Sequence, residues 1–359
     1  MATLLMESFD YLSTVQDDAT ITGISVPNNI TLSGGPDAHS GGTATGSMLD
    51  TRAGIIIPGK QTEIYAGWWM YFTQLGGEAV VYNVPFLRLG DPVQRYDDPH
   101  VELNFTTRGS LLLTRDVGTA TLIDTAANIV NILRWHFIEI RLLLGTTTGA
   151  VELKVDGVSV GTATSTNTTS AGTSTSTSDI IGTFDLIGTS FVPWYISGLY
   201  INDTTGSAPN NGFMGPHIME TLRPNGAGFS TGFTPSAGSN WQNVDEDTQD
   251  GHTTYNEAAT AATIDSFTYS NLVNTATSIP AIGLNTICRK EGLPGSKKLR
   301  SRVRSSASDA LGTAIALKSE ETNSRYMHTR QIIEKDPNGT IAWTSTSVNA
   351  AEAGYEVTV

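Results

Sequence analysis

A single cysteine, Cys288, means that no intrachain disulfide can form, which excludes a small secreted fold stapled by bridges. Nor is there an apolar run long enough to span a bilayer. The opening residues MATLLMESFD have neither a basic n-region nor a hydrophobic h-region, so a soluble protein made in a cytoplasm, without membrane insertion, is expected. Charged residues are scarce, 16% of 359, where a quarter is usual. The charge that is present is mostly acidic and uneven. Residues 1–205 hold 9 Lys/Arg against 20 Asp/Glu, and residues 206–359 hold 12 against 15. Phosphate neutralisation needs a basic surface, so nucleic acid is not an expected partner.

Reactive constellations are also missing. The six histidines are scattered, and nothing pairs His217 or His252 with a reactive group. Cys288 follows Thr286-Ile287 and reads as a small apolar residue of a buried strand rather than a thiol nucleophile. Glycan hydrolysis by two carboxylates would need them on one strand, spaced E-x-D-x-E or E-x-D-x-x-E; Glu152 and Asp156 have the wrong separation and end in a turn. Asp91, Asp97 and Asp98 with His100 lack a repeat of ligand spacing and read as solvated loop polars. Asp245, Asp247 and Asp250 suggest a calcium loop, but its sixth and twelfth places hold Asp250 and Asn256 instead of Gly and Glu. No metal and no cofactor are therefore expected.

What the sequence does hold is Gly, Ser and Thr among many short β-branched runs, a composition that favours an all-β architecture. The most informative run is Trp135 to Val160, WHFIEIRLLLGTTTGAVELKVDGVSV. His136, Ile138, Ile140, Leu142 and Leu144 alternate with Phe137, Glu139, Arg141 and Leu143, the period of a pleated strand. One antiparallel register sets Ile138 against Val155, Ile140 against Leu153 and Leu142 against Val151. The same register places Glu139 opposite Lys154 and Arg141 opposite Glu152 on the other face, whereas a one-residue slip would turn the apolar set outward. Asp156-Gly157 then supplies a type I′ turn between Val155 and Val158.

This run, with its opening Trp and closing V-D-G, resembles the central strands of concanavalin A-like (laminin G-like) jelly rolls. PWYISGLYINDTTG, Pro193 to Gly206, is similar to their closing strand, with Ser197-Gly198 in place of an acidic pair. MESFDYL resembles the first strand of such domains in tailed-bacteriophage structural proteins, and GPHIMETLRPNGAG, NWQNVDE and DGHTTYNEAATAATIDSFTYSNL look like a recurrent phage virion module. The resemblance implies a virion part and names no chemistry.

Along the chain, Tyr65 to Phe72 (YAGWWMYF) reads as a core strand, Gly34 to Gly46 as a surface loop, and Gly161 to Asp179 as a Ser/Thr-rich loop or extended edge. Asn202 to Gly215 is polar and aperiodic and reads as a linker. Strands are expected at His217–Leu222, Ile264–Tyr269, Ile279–Lys290 and Tyr326–Lys335, then a helix at Ser347–Ala353 with Gly354 as its C′ residue, and a last strand at Tyr355–Val359. Lys297 to Ser305 is the one locally basic stretch. As a strand it presents Lys298, Arg300, Arg302 and Arg304 on one face and Leu299 and Val303 on the other. A charged edge that blocks aggregation, a docking stripe for an acidic neighbour and a phosphate strip all fit it.

The expectation is an all-β chain: a concanavalin A-like jelly roll over 1–204, a linker over 205–215, and a second, smaller β-rich domain over 216–359 that anchors the protein. The resemblance implies a non-enzymatic structural component of a tailed-phage virion, assembled in the host cytoplasm. It would be a peripheral tail, fibre, collar or decoration protein, with other virion proteins and further copies of itself as partners. Lys298, Arg300, Arg302 and Arg304 would serve subunit docking. The rival is a host-glycan receptor module using Trp68, Trp69, Tyr96 and Trp194, since aromatic faces stack on sugars. A polysaccharide-degrading enzyme comes third.

Overall fold

The computed structural model describes residues 3–8, 20–21, 24–25, 30–32, 44–46, 51–75, 84–90, 99–116, 118, 120–170, 181–188, 194–247, 250–290, 297–317 and 327–359. The chain divides into two units, Met1–Phe9 with Gly23–Met219, and Asp10–Thr22 with Glu220–Val359.

In the first unit two antiparallel sheets enclose the core. One runs, in spatial order, Val158–Thr166, Gly149–Val155, Trp135–Leu143, Glu63–Phe72, Trp194–Asn202, Ala44–Gly46 and Ile30–Leu32, with Thr3–Glu7 also paired to Trp194–Asn202. The other runs Ala120–Asp124, Leu111–Arg115, Pro99–Phe105, Val84–Gly90, Ile181–Gly188, Thr51–Gln61 and Ile24–Ser25. This is a concanavalin A-like jelly-roll sandwich. The expected hairpin register holds pair by pair, from Ile138 against Val155 to Leu142 against Val151. Asp156 (φ 51°) and Gly157 (φ 80°) form the left-handed turn between the hairpin strands. The turn is fastened by the Asp156 carboxylate, which accepts from the Phe137 amide at 2.8 Å and from His136 Nδ1 at 2.8 Å.

The inner face of Glu63–Phe72 carries Ile64, Ala66, Trp68, Met70 and Phe72, all fully buried. Across the sandwich Trp68 meets Phe184 edge-on at 5.3 Å, and Phe72 stacks on Phe105 at 4.0 Å. Burial of each such side chain contributes about 1.5–3 kcal/mol. Among the described residues, Phe267 alone of the largest fully buried side chains lies outside this unit, so the sandwich holds most of their apolar core.

The second unit centres on a sheet ordered Pro224–Thr231, Ile264–Tyr269, Glu352–Thr358, Lys298–Ser305 and Ser308–Leu311, with Ile315–Ala316 also against Lys298–Ser305. Ile282–Cys288 pairs separately with Met327–Ile333, which takes Thr20–Ile21 as a parallel neighbour. Val303, Ile333, Trp343 and Val348 form one apolar cluster, in which the Trp343 indole donates to the Ile333 carbonyl at 2.9 Å.

Several local expectations are corrected. The helix is Ser345–Asn349, begun two residues early because the Thr344 hydroxyl accepts from the Ser347 amide. Gly354 is no helix cap; it lies within the Glu352–Thr358 strand, where a Cβ would collide with the Asp265 backbone. Ala44–Gly46, expected within a loop, pairs with Trp194–Ile196, whereas the rest of that loop, 34–43, lies outside the described residues. His217–Leu222 is not a strand. Ala120–Asp124 and Pro224–Thr231 are strands that composition did not indicate.

Candidate functional site

Alternation along the Trp135-containing sheet decides what its outer face offers. Tyr65, Gly67 and Trp69 stand beside Arg141, Glu139 and Phe137 on one neighbour, and beside Asn202, Tyr200 and Ser197 on the other. Gly67 is required: a Cβ there would run into the Tyr200 ring and lie 3.0 Å from Glu139 Cγ. Without it the Tyr200 hydroxyl and the Glu139 carboxylate meet above the strand at 2.6 Å.

This face is covered by residues 212–219 of the same unit. The segment's backbone is read by four side chains. Asn202 Nδ2 donates to the Gly212 carbonyl at 3.0 Å, the Met214 amide donates to the Tyr200 hydroxyl at 3.0 Å, and the Gly215 amide donates to Glu139 Oε1 at 2.9 Å. Trp69 Nε1 donates to the His217 carbonyl at 2.6 Å. Side chains then fill the remaining space. Phe213 meets Tyr65 edge-on at 5.0 Å beneath the Lys154 ammonium, 4.0 Å from its ring centre. His217 sits 5.1 Å from Phe137 and 5.3 Å from Tyr200, and Met219 packs with Phe137 and Tyr200. Of residues 205–215, expected as a linker, 212–215 are fastened to the jelly roll, whereas 205–209 are exposed.

The electrostatics follow from this burial. Glu139 is 1% exposed, and a carboxylate in that position must be hydrogen-bonded, which the Tyr200 hydroxyl and the Gly215 amide accomplish. Burial, then the charge and hydrogen bond of Glu139, push the Tyr200 hydroxyl far above its ordinary value, so it donates and does not ionise. Burial lowers His217, whose Nδ1 donates to the Gly215 carbonyl at 3.0 Å; the ring is neutral at pH 7. The opposite-charge pairs expected across the hairpin adjoin at the backbone, but their charges go elsewhere. Arg141 Nε bonds Glu63 at 2.7 Å, Glu139 turns to the covering segment, and Lys154 lies over Phe213. A third strand and the covering segment compete for these groups, and two strands considered alone do not show them.

Two of the four aromatic residues expected to serve a glycan are interior. Trp68 and Trp194 are fully buried, and the Trp194 indole donates to the Ile187 carbonyl at 3.0 Å. A side chain sealed between two sheets cannot stack on a sugar. Trp69 is on the outer face, under the covering segment, and Tyr96 lies outside the described residues. The basic strand alternates as expected, with Leu299 and Val303 inward, but its arginines are bonded within the sheet. Arg300 grips Glu356 through Nε and Nη2, Arg302 reaches Asp309 and Glu356, and Arg304 bonds Asp309 at 2.9 Å. Phe229 lies against Arg304 and Arg302, 3.7 and 5.2 Å from ring centre to guanidinium carbon.

Other nominated groups have structural partners. His100 Nδ1 accepts from the Ser170 amide at 3.1 Å, and His136 Nε2 accepts from the Asn131 amide at 3.0 Å; Asp91, Asp97 and Asp98 lie outside the described residues. The Cys288 thiol is pushed up to about 12 by burial. In the acidic loop Thr254 Oγ1 bridges Glu246 and Asp250. Among the described residues no group of three or more His, Cys, Asp and Glu is placed to hold a metal ion. No helix of the described residues is long and apolar enough to cross a membrane. Two stretches spell G-x-S-x-G, Gly157–Gly161 and Gly228–Gly232, but both serines lie in strands, not in the strand-to-helix elbow that exposes a nucleophile, and Ser230 Oγ donates to the Ile264 carbonyl.

No protein-family model matches the chain, and no curated protein matches it in sequence. Among solved structures it is similar to the metal-free Emp46p carbohydrate recognition domain, with 8% identity over 55% of this chain and 94% of that one and a TM-score of 0.34. It is also similar to the carbohydrate-binding module CBM66 from Bacillus subtilis, with 8% identity over 52% of this chain and 98% of that one and a TM-score of 0.33. A chain titled sialidase matches at 11% identity and a TM-score of 0.37 over 56% of this chain, which spans 18% of the sialidase's length. Matches of this size carry no argument about activity, and the jelly roll stands on its own strand order.

Proposed function

We propose that the chain is a non-catalytic structural component of a tailed-phage virion, working through contacts with other virion proteins and with copies of itself. The observation that carries the structural part is the use made of its chemistry-bearing side chains. Aromatic rings fill the sandwich or lie under residues 212–219, and the buried acid of the outer face is bonded to Tyr200 and Gly215. The virion part rests on the sequence resemblance of MESFDYL and of the stretches after Gly215. Weak contacts multiplied by symmetry suit such a role. Docking through the basic strand would use the row Lys298, Arg300, Arg302 and Arg304 together with Phe229, which is 39% exposed against two guanidiniums.

The test is whether the chain travels with particles. In gradient-purified phage from a host expressing it, mass spectrometry finds the chain at fixed stoichiometry, and gold-labelled antibody marks one place on each particle. A chain confined to the soluble lysate would overturn the reading. A bacterial glycan array is expected to give no hits, and assays on bacterial polysaccharides no turnover. Binding abolished by Trp69→Ala would favour the receptor reading instead, and turnover lost with a single carboxylate variant would favour the enzyme.

A further inference from the structure

The outer face of the Trp135-containing sheet is built as a reader of polypeptide backbone. Within six consecutive residues it engages the Gly212 carbonyl, the Met214 and Gly215 amides and the His217 carbonyl, through Asn202, Tyr200, Glu139 and Trp69. Those four side chains come from three different places in the chain, on two strands flanking Gly67 and on its own strand, so the reading is set by the sheet and not by the covering segment. Between the backbone contacts lie seats for side chains: Tyr65 with Lys154 for an aromatic ring, and the Phe137–Tyr200 pair for an imidazole and a thioether. Leading into the segment, residues 204–209 are exposed. A stretch tethered in this way, with an exposed approach, is a bound ligand joined to its receptor by a short leash.

We propose that this face is a peptide-binding groove whose resident occupant is the chain's own 212–219 segment, and that, with the resident weakened, it accepts the same segment from a second copy. The partner is thus a copy of this chain, recognised by the sequence GFMGPHIM. The tether decides the populations. Intramolecular occupancy excludes a free competitor until the resident's own affinity is reduced, after which apparent affinity rises in proportion to the vacant fraction.

The experiment uses the full chain and a fluorescein-labelled peptide of residues 210–220, followed by fluorescence anisotropy. Phe213→Ala with His217→Ala removes two side chains of the resident and leaves the groove intact. The labelled peptide is expected to bind this double variant at least about tenfold more tightly than the wild type. Adding Tyr200→Phe, which deletes the acceptor of the Met214 amide, is expected to cancel the gain, and a scrambled peptide is expected not to bind. Equal affinity for wild type and double variant, binding to neither, or equal binding of the scrambled peptide would overturn the proposal. Circular dichroism checks the fold, and if the double variant is unfolded, Phe213→Ala alone supplies the same comparison with a smaller ratio.

Discussion

The two units each present the outer face of an antiparallel sheet, and they manage charge on it in opposite ways. On the jelly roll a single carboxylate, Glu139, is buried under the chain's own segment and held by a phenol and a backbone amide. On the second unit a row of arginines interleaves with Glu356 and Asp309 at partly exposed positions and is closed at one end by Phe229. The first arrangement depends on burial, because an uncompensated buried acid is costly and each bond to it matters. The second depends on many screened contacts, each of which contributes little. Both faces are already occupied by the chain's own groups.

Substitutions should separate the two faces by size and by salt dependence. Phe137→Ala, at the fully buried centre of the first face, is expected to cost about 3–5 kcal/mol in urea unfolding. Should it cost under about 1 kcal/mol, the covering segment does not hold that ring in place. Glu139→Ala, which strips the Tyr200 hydroxyl and the Gly215 amide of their shared acceptor, is expected to cost about 2–3 kcal/mol, equally at low and high salt. By contrast Arg302→Ala is expected to cost about 1 kcal/mol at low salt and less at 1 M, since Arg302 and Asp309 are only partly buried and Glu356, which is buried, keeps Arg300 as a partner. A salt-independent loss at Arg302 would show that the comparison is misdrawn.

The smallest effects are those of pH, and they fall in different windows. Burial lowers His217 below the ordinary histidine value of about 6.5, so the unfolded chain takes up the proton first. The seat of the covering segment is therefore fully stable above that value and weakens as the pH falls through it; limited proteolysis between residues 204 and 219 should quicken there. For Asp309 burial works to raise the pKa, but the hydrogen bonds and charges of Arg304 and Arg302 outweigh it and hold the carboxyl below its ordinary range. Its contribution persists at pH 6 and is lost only as the pH falls below about 4. Acid titration of wild type against Asp309→Asn, followed by tryptophan fluorescence, measures the difference; loss of the Asp309 contribution near pH 6 would contradict the assignment.

Much of the jelly roll was legible because its signals are local. Alternation from His136 to Leu144, the charged residues of the next strand and Asp156-Gly157 define the hairpin register without any third element. The alternation of Lys298 to Ser305 was legible for the same reason. The covering segment was not. Asn202–Gly215 reads as polar and aperiodic and His217–Leu222 as a strand, and what seats 212–219 is supplied by Tyr200 and by the more distant Glu139, Trp69 and the missing side chain of Gly67. Pro224–Thr231 was missed because PNGAGFST has little strand propensity; its outward bulge is tied down by Glu352, which accepts from the Phe229 amide, and by Ser266, which accepts from the Ser230 amide. Trp68 and Trp69 are neighbours that alternation alone sends to opposite faces, yet only the second sheet shows which face is sealed.

Hydrogen–deuterium exchange of the peptide spanning residues 212–219 in the intact chain tests most directly whether the outer face is closed. The amides of Met214 and Gly215 are expected to be protected to within about tenfold of those in the Trp135–Leu143 strand. Exchange of this peptide at the rate of an unstructured chain, with the Trp135–Leu143 strand still protected, would contradict the account.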